Sequence, residues 1–517
     1  MERATISNDN AAAQHAVGAW RDSIAIGLAT LLACSLLVRG VWHGLDAYSF
    51  LSHLERGVHT NPRHPLYLPL AGLVVDALRP FGVSVVRAAV FASSLGAALG
   101  ALLFHRAFLA FGLARRDAAM ASASSVACFG ILYYGSMVEI HAVFLMPAGL
   151  SWWLFARYLA SPSWNRAWML GIATGFAAAT HATGHLLLVT FGLFALLRMR
   201  SASELRLRLP HVIAIALPHA LVAWMAKQLV LPDEVLADPT PEAGAASYFA
   251  FLRSLGTDWA QFPRILWHEW LMPLMPLSLL APLALLRADS RRDSIAFCAA
   301  LAVYLVLTTM LLAPLAVMQK PEYLPPFATY EFGAYFLPLC VPAAMLALRV
   351  VPQRFAVAVP LLGVVSALTW MFSSPRAPSD LDYGRDALSV LDERKARIVI
   401  GGYGELDSIL QLRPECGSEP MHAEPNTVLT VYGLWLWLFR FPEYRVRENV
   451  FVWFDVQVQQ VRAKGGQLLI TDDALQLLRG TKDGLLDALA NEHIPERYTL
   501  TPIEQGRFRG YVVEDRR

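Results

Sequence analysis

The stretch from Val85 to Gly112 reads VVRAAVFASSLGAALGALLFHRAFLAFG, and it determines the class of this protein. It can cross a bilayer as a helix, because a crossing takes about 20 mostly apolar residues whose backbone amides bond within the segment. Similar apolar runs recur at residues 23–42, 118–136, 140–160, 167–181, 183–199, 209–231, 266–287, 293–318, 329–350 and 353–373. The sequence therefore predicts an α-helical polytopic membrane protein with about eleven transmembrane helices.

The overall composition also favours a membrane protein over a soluble one. The 517 residues are 56% hydrophobic and only 16% charged, whereas soluble domains contain about a quarter charged residues. More than half of the 41 acidic residues lie from Asp380 onward. This distribution indicates that the chain before Asp380 lies mainly in lipid and the chain after it in water. The formal net charge of +2 and the lack of a basic run give no indication of a nucleic-acid partner.

The arginines between the apolar runs predict the orientation of the chain, because cytoplasmic connections of membrane proteins are enriched in Lys and Arg. Residues 1–22 are interpreted as a cytoplasmic tail. The connections on the same side as this tail then carry Arg115, Arg116, Arg157, Arg166, Arg198, Arg200, Arg206, Arg208, Arg287, Arg291, Arg292, Arg349 and Arg354. The outer connections carry more acids than basic residues.

The apolar stretch 65–82, PLYLPLAGLVVDALRPFG, is the exception to this counting. If it crossed the membrane, every later connection would be on the opposite side. Its three prolines and Asp76 fit a helix in the outer interface better than a crossing. We therefore place it in a first external loop, residues 43–84, of a transmembrane domain that covers residues 23–373.

Residues 380–517 are predicted to form a soluble α/β domain on the extracytoplasmic side. Short β-type runs (ARIVIGGYG, GGQLLITDD, RGYVVED) alternate there with helical ones such as QLLRGTKDGLLDALANEH. The run NTVLTVYGLWLWLFRF is interpreted as a buried or interfacial element, because it is short for a twelfth span and ends beside Arg440.

Ionisable side chains at the outer face are candidate functional groups, because charges at membrane boundaries are costly. Asp46 follows the first span and is either a functional carboxylate or a helix cap. Glu139 lies in a very short connection, either as a functional acid or as a paired structural one. Arg63, Arg264 and Lys320 suit a phosphate, or extend to the interface without function. His64 is a further candidate for the phosphate. The candidate lining residues are Tyr67, His141, His181, His185, Glu322, Tyr330 and Glu331.

His181 and His185 are four residues apart and would share one face of a helix. That spacing suits metal ligation, and it suits a polar packing contact equally well. The five cysteines form no CxxC pair, so neither a zinc site nor a disulfide framework is indicated. No metal or other cofactor is predicted, although a divalent cation is compatible with these residues.

The motifs of the first two external loops resemble those of class C glycosyltransferases, which are polytopic enzymes related to protein O-mannosyltransferases and aminoarabinose transferases. The resemblance covers roughly residues 20–200. This chain has a single acid after the first span where the commoner pattern has an acidic pair, and HPL where that pattern has HPP. The matching segments are Asp46-Ala-Tyr-Ser-Phe50, Arg63-His64-Pro65-Leu66-Tyr67, Val138-Glu139-Ile140-His141 and GIATGFAAATHATGHLLL around His181.

The resemblance implies transfer of a sugar from a polyprenyl-phosphate carrier to a glycan, lipid or protein acceptor at the outer face of a membrane. The Ala/Arg-rich composition suggests that this membrane is a bacterial inner membrane. Asp46 would be the general base on the acceptor hydroxyl. Glu139 would orient the acceptor or help to hold a cation. The phosphate leaving group would be held by Arg63 with His64, by Lys320, or by Arg264.

Two other functions remain open at this point, a transporter or flippase and a non-catalytic protein of envelope-polysaccharide assembly. Transporters commonly contain internal repeats and interrupted helices with charges near the middle of the bilayer. In this sequence the candidate acids cluster at one face and no such repeat is found. That asymmetry favours an enzyme that acts at the interface.

The arginine distribution predicts that the chain after Asp380 lies outside the cytoplasm. Alkaline phosphatase fused after Arg517 should therefore be active, whereas the same reporter fused after Arg200 should be inactive. A green fluorescent protein fusion at each position should give the inverse result. Strong fluorescence from the fusion after Arg517 would contradict both the number of spans and the placement of residues 65–82.

Overall fold

A computed structural model describes most of the chain, and contacts divide it into two units. One unit contains Met1–Gly40, His59–Leu236 and Gly256–Pro375, and the other contains Val41–Val58, Ala237–Leu255 and Arg376–Arg517. The described residues are 2–38, 45–55, 57, 64–198, 202–230, 266–286, 291–318, 331–373, 380–401, 403–410, 412–413, 416–417, 423–431, 433–434, 446–481 and 484–516.

The first unit is built of helices. They are α1 (Glu2–Leu36), α3 (Tyr67–Leu78), α4 (Val85–Ala110), α5 (Arg115–Val126), α6 (Phe129–Gly135), α7 (Ile140–Ala160), α8 (Trp164–Thr180), α9 (Gly184–Arg198) and α10 (Ala202–Val230), followed by Leu277–Leu280, Arg291–Met318, Cys340–Val350 and Ala358–Ser373. Helix α2 (Leu45–Glu55) groups with the second unit.

Several helices of the first unit are long and apolar enough to cross a membrane. Within the described residues these are Gly18–Leu36, Val85–Ala110, Ile140–Ala160, Leu209–Gln228 and Gln353–Met371. Large apolar side chains such as Leu28, Ile213 and Leu361 are exposed on them, as expected of helices that face lipid. The helical membrane fold is thus confirmed, whereas the number of eleven spans stays a prediction.

Two predicted spans are not single straight helices. Residues 118–136 form α5 and α6, which meet at a bend of 62°. Residues 266–287 contain a π-helical turn at Leu266–Leu271, a short helix at Leu277–Leu280 and a 3₁₀ turn at Ala281–Leu286. The prolines at positions 273, 276 and 282 explain the second break, because each removes a backbone donor and crowds the preceding turn.

Helices α4 and α7 pack with their backbones close together, and glycines make this approach possible. A Cβ at Gly96 would lie 2.5 Å from the Val143 Cα, and one at Gly100 would lie 2.7 Å from the Leu145 Cβ. On the facing helix, a Cβ at Gly149 would lie 3.0 Å from the Gly100 carbonyl oxygen. Small residues spaced in this way are a recurring basis of helix association in membranes.

The second unit contains a five-stranded sheet in the order β2-β1-β3-β5-β4. Its strands are β1 (Arg397–Ile400), β2 (Thr427–Thr430), β3 (Leu468–Thr471), β4 (Tyr498–Gln505) and β5 (Phe508–Asp515). The central strand β1 pairs in parallel with β2 and β3, while β5 pairs antiparallel with β3 and β4. Helices at Leu381–Arg394, Tyr403–Leu410, Arg447–Ala463 and Asp472–Gly480 connect or flank these strands.

The runs interpreted as β-type in the tail coincide with β1, β3 and β5. The segment NTVLTVYGLWLWLFRF supplies β2, whose four residues are all buried, and the rest of that segment lies largely outside the described residues. Strand β4 was not predicted. It contains Pro502 and lies at the edge of the sheet, where a residue without a backbone donor is tolerated.

The glycine contact between α4 and α7 predicts different effects for two alanine substitutions. Gly96→Ala should lower the free energy of unfolding by about 1–3 kcal/mol, because its methyl group must displace the backbone of α7. Gly192→Ala on α9 is the matched control, since nothing lies within 4 Å of its Cβ position. Thermal unfolding of both variants in detergent measures the difference, and equal melting temperatures would contradict the close packing.

Candidate active site

Glu139 is the residue before α7, and hydrogen bonds fix both its backbone and its side chain. Its Oε1 accepts a hydrogen bond of 3.2 Å from the His141 backbone N–H, which makes Glu139 the N-cap of α7. An acid at this position also interacts favourably with the positive end of the helix dipole. The Ser93 hydroxyl of α4 accepts from the Glu139 N–H at 3.0 Å and donates to the Glu139 carbonyl at 3.2 Å.

Glu139 and His141 form a buried carboxylate–imidazole pair. The Glu139 Oε1 lies 2.6 Å from the His141 Nδ1, and the two side chains are only 3% and 2% exposed. Burial raises the pKa of Glu139, because desolvation disfavours the isolated carboxylate. Because a carboxylate can only accept, the His141 Nδ1–H donates to Glu139, and this bond fixes the orientation of the ring with Nε2 on its far side.

Three histidines from separate segments contact one another around this pair. The ring of His64, which precedes α3, stacks on that of His181 with their centroids 5.0 Å apart. The rings of His141 and His181 have centroids 4.4 Å apart. Tyr335 adjoins two of these histidines, at 4.5 Å from His141 and 5.0 Å from His181. This group, Glu139, His64, His141, His181 and Tyr335, is called the histidine cluster below.

Local hydrogen bonds determine the orientation of His181. The Thr183 backbone N–H lies 3.2 Å from the His181 Nδ1, and the Thr183 hydroxyl lies 2.8 Å from the same atom. Because a backbone N–H can only donate, Nδ1 is the acceptor, and the neutral ring carries its proton on Nε2. The ring is 3% exposed, so its charge and contacts are set by the surrounding protein.

The entry to α3 is attached to the same region. The Leu66 N–H donates to the Ala179 carbonyl at 3.2 Å, which ties the His-Pro-Leu-Tyr segment to the end of α8. Tyr67 is fully buried, and burial together with the nearby charge of Glu139 raises the pKa of its hydroxyl. The Tyr304 hydroxyl donates to the Tyr335 carbonyl at 2.8 Å, and this bond fixes the segment that carries Tyr335.

The geometry brings together part of the residue set expected from the sequence. Glu139, His64, His141, His181 and Tyr67 meet in the first unit, although their segments are far apart in the chain. Ser93, Thr183 and Tyr335 were not expected. Tyr335 lies in the aromatic-rich run QKPEYLPPFATYEFGAYF, and that richness is the one sequence signal that could have indicated it.

The idea that His181 and His185 share a helix face is wrong. His181 has extended backbone after α8, and α9 begins only at Gly184. His185 instead pairs with His219, with its Nδ1 2.8 Å from the His219 Nε2. Among the described residues, no three His, Cys, Asp or Glu side chains are arranged as ligands of one metal ion.

Several candidates cannot be placed. Asp46 belongs to α2, in the segment grouped with the second unit, and its side chain lies outside the described residues. The same holds for the side chain of Glu331. The candidates that lie wholly outside the described residues are Arg63, Arg264, Lys320, Glu322 and Tyr330. Their assignment to the site stays a prediction.

Comparison with known proteins shows the fold through solved structures. No family model and no curated protein sequence matches the chain. ArnT from Cupriavidus metallidurans in its apo state matches with a TM-score of 0.51 and 13% identity, over 97% of this chain and 98% of ArnT. The same protein bound to undecaprenyl phosphate matches with a TM-score of 0.50 and 13% identity, over 95% and 97%. The chain has the class C glycosyltransferase fold.

A second solved structure is similar over less of its own length. AglB, the oligosaccharyltransferase of Archaeoglobus fulgidus, in complex with an inhibitory peptide and a dolichol-phosphate, matches with a TM-score of 0.49 and 10% identity. The match covers 95% of this chain and 74% of AglB. The two ArnT structures, in contrast, are matched over nearly all of both chains, and they confirm at the level of the fold the resemblance expected from the sequence.

Proposed function

We propose that this protein is a glycosyltransferase that moves a sugar from a polyprenyl-phosphate carrier to an acceptor at the outer face of the membrane. The observation that carries the proposal is the match over nearly its whole length to ArnT, a protein crystallised with undecaprenyl phosphate. The histidine cluster adds buried groups with the chemistry to move protons and bind phosphate. The membrane would be the inner membrane of a bacterium, with residues 380–517 on its extracytoplasmic side.

The proposed reaction is a displacement at the anomeric carbon of the donor sugar. Asp46 takes the proton of an acceptor hydroxyl as general base. The acceptor oxygen forms a bond to the anomeric carbon while the bond from that carbon to the phosphate oxygen breaks. Polyprenyl phosphate then leaves with the negative charge. The acceptor is a glycan, a lipid or a protein.

The Glu139–His141 pair suits the stabilisation of this leaving group. An imidazolium at His141 can donate from Nε2 to a phosphate oxygen only if its charge is tolerated in a buried place. Glu139 provides the compensating charge on the other ring nitrogen, 2.6 Å away. In this proposal His141 is the positively polarised donor to the phosphate oxygen on which charge develops in the transition state. His64 joins the same group through its stacking on His181.

The remaining candidates complete the proposed site. Arg63, Arg264 and Lys320 supply positive charge for the phosphate. The lining of the sugar and acceptor positions is proposed to include Tyr67, His181, His185, Glu322, Tyr330 and Glu331. This set of side chains needs no metal ion for the displacement, because imidazole and guanidinium donors alone neutralise the phosphate charge.

The donor class is tested with purified full-length protein and a panel of prenyl-phosphate-linked sugars. Transfer should depend on the prenyl-phosphate donor, and Asp46→Asn should lower turnover by about 10²–10⁴-fold with little change in donor binding, because the base contacts the acceptor. Asp117→Asn, at the start of α5, is the control and should remain fully active. Transfer from a nucleotide sugar alone would refute the donor class, and undiminished transfer by Asp46→Asn would refute the base.

The Glu139–His141 pair predicts a specific pH dependence. Because burial raises the pKa of Glu139, its carboxylate loses its charge at a higher pH than an ordinary glutamate does. We expect kcat/KM to fall as the pH drops, with a midpoint above about 4.3, the usual pKa of a glutamate. This midpoint describes the Glu139–His141 pair as a whole and not one of its members. Glu139→Gln should lower kcat/KM by about 10²-fold or more and remove this acid limb.

The control for the pH profile is Asp382→Asn, a substitution at an exposed carboxylate of the second unit. It should leave both the rate and the acid limb unchanged. An acid limb of the same midpoint in Glu139→Gln would assign it to another group and would contradict the proposed role of the pair.

A further inference from the structure

Helix α7 carries a second group of functional side chains at the end opposite Glu139. Trp153 lies 14 residues further along the helix, which corresponds to about 21 Å of helical rise. Its indole packs edge-on against Trp20 of α1, with centroids 6.2 Å apart. The Arg106 guanidinium of α4 lies 4.3 Å from the Trp20 ring and 5.7 Å from the Trp153 ring. Arg157, one turn further along α7, lies 5.5 Å from the Trp153 ring.

Two guanidinium groups therefore flank one indole, and in the described part of the chain their charges have no protein counter-ion. Within the described residues, neither Arg106 nor Arg157 has a carboxylate at ion-pair distance. The nearby acid Asp22 is bound to Arg115, whose Nη2 lies 2.7 Å from its carboxylate. The Arg106 Nε is buried and has no hydrogen-bond partner in the described part of the chain. A buried guanidinium donor without an acceptor is costly.

A phosphate group would supply both the negative charge and the hydrogen-bond acceptor that these two arginines need. The planar guanidinium offers parallel N–H donors that match two phosphate oxygens, and one anion between two arginines would remove their mutual repulsion. The indoles remain accessible enough for a ligand to reach the arginines, since Trp20 is 41% exposed. Tryptophan and arginine together are also typical of the interface between lipid head groups and the apolar core.

The location identifies the source of the phosphate. Trp20, Arg106 and Trp153 lie on three helices, each of which is long and apolar enough to cross the membrane. They lie at the helix ends that the arginine distribution places on the cytoplasmic side. The cytoplasmic leaflet carries anionic phospholipids, which bind to basic pockets between transmembrane helices.

We propose that Trp20, Arg106, Trp153 and Arg157 form a binding site for the head group of an anionic phospholipid of the cytoplasmic leaflet. The phosphodiester accepts from the guanidinium groups of Arg106 and Arg157, and the two indoles lie beside the glycerol and upper acyl region. This site is separate from the proposed transfer reaction, because it lies at the opposite end of α4 and α7 from the histidine cluster.

The test is lipid binding by the full-length protein, measured by native mass spectrometry in a neutral detergent. Dioleoyl phosphatidylglycerol should bind more tightly than dioleoyl phosphatidylcholine. The double variant Arg106→Gln/Arg157→Gln should weaken phosphatidylglycerol binding by about 25-fold, since each of the two guanidinium contacts to the phosphate contributes roughly fivefold. Arg354→Gln is the matched control, because Arg354 lies over the neighbouring Phe355 ring, at 4.8 Å, and does not belong to the proposed site. It should change binding by less than about twofold.

Two further measurements keep the proposal falsifiable if the double variant does not fold. On the wild-type protein, phosphatidylglycerol should raise the melting temperature more than phosphatidylcholine does, and 1 M NaCl should diminish this difference by screening. Equal binding of the two lipids, or equal binding by the wild type and the double variant, would overturn the proposal. Displacement of phosphatidylglycerol by millimolar inorganic phosphate would overturn it too, because the ligand would then be free phosphate.

Discussion

The close contact between α4 and α7 is the interaction on which the first unit depends. Gly96, Gly100 and Gly149 let the two backbones approach each other. This approach brings Ser93 against the residue before α7, so that one hydroxyl bonds both the N–H and the carbonyl of Glu139. The same pair of helices presents Arg106 and Trp153 to each other at the other end. The histidine cluster and the proposed lipid site thus share one packing surface.

Hydrogen bonds to the Glu139 carboxylate allow the histidine cluster to hold a buried acid. A lone carboxylate that is 3% exposed would be costly, but Glu139 has a backbone donor and an imidazole within hydrogen-bonding distance. Each partner is in turn fixed by its own segment, His141 by the first turn of α7 and His181 by Thr183. Glu139 and His141 lie within hydrogen-bonding distance, so their protonation states are coupled. A change of protonation at either member alters what the other can donate.

The sequence predicted those features that depend on local composition. Apolar length was sufficient to locate the long helices of the first unit that lie within the described residues, and alternating β-type runs were sufficient for β1, β3 and β5. Strand β2 was obscured because its four residues begin a longer apolar run, and β4 because Pro502 argues against a strand unless the edge of the sheet is known. Ser93 and Thr183 could not be found in this way. Their importance depends on tertiary contacts, and an apolar helix gives no local signal for a serine that bonds a distant backbone.

The contacts of Glu139 bear on which of the two acids expected at the outer face, Asp46 or Glu139, suits the role of general base. The hydrogen-bonding capacity of the Glu139 Oε1 is already used, because this atom accepts from the backbone N–H and the imidazole of His141. The backbone of Glu139 is fixed by Ser93. A group held so firmly is suited to position a partner and poorly suited to approach an incoming hydroxyl. A general base must instead come within about 3 Å of the proton that it removes. The contacts of Glu139 are therefore those of a residue that positions His141, and the assignment of the general base to Asp46 stays a prediction.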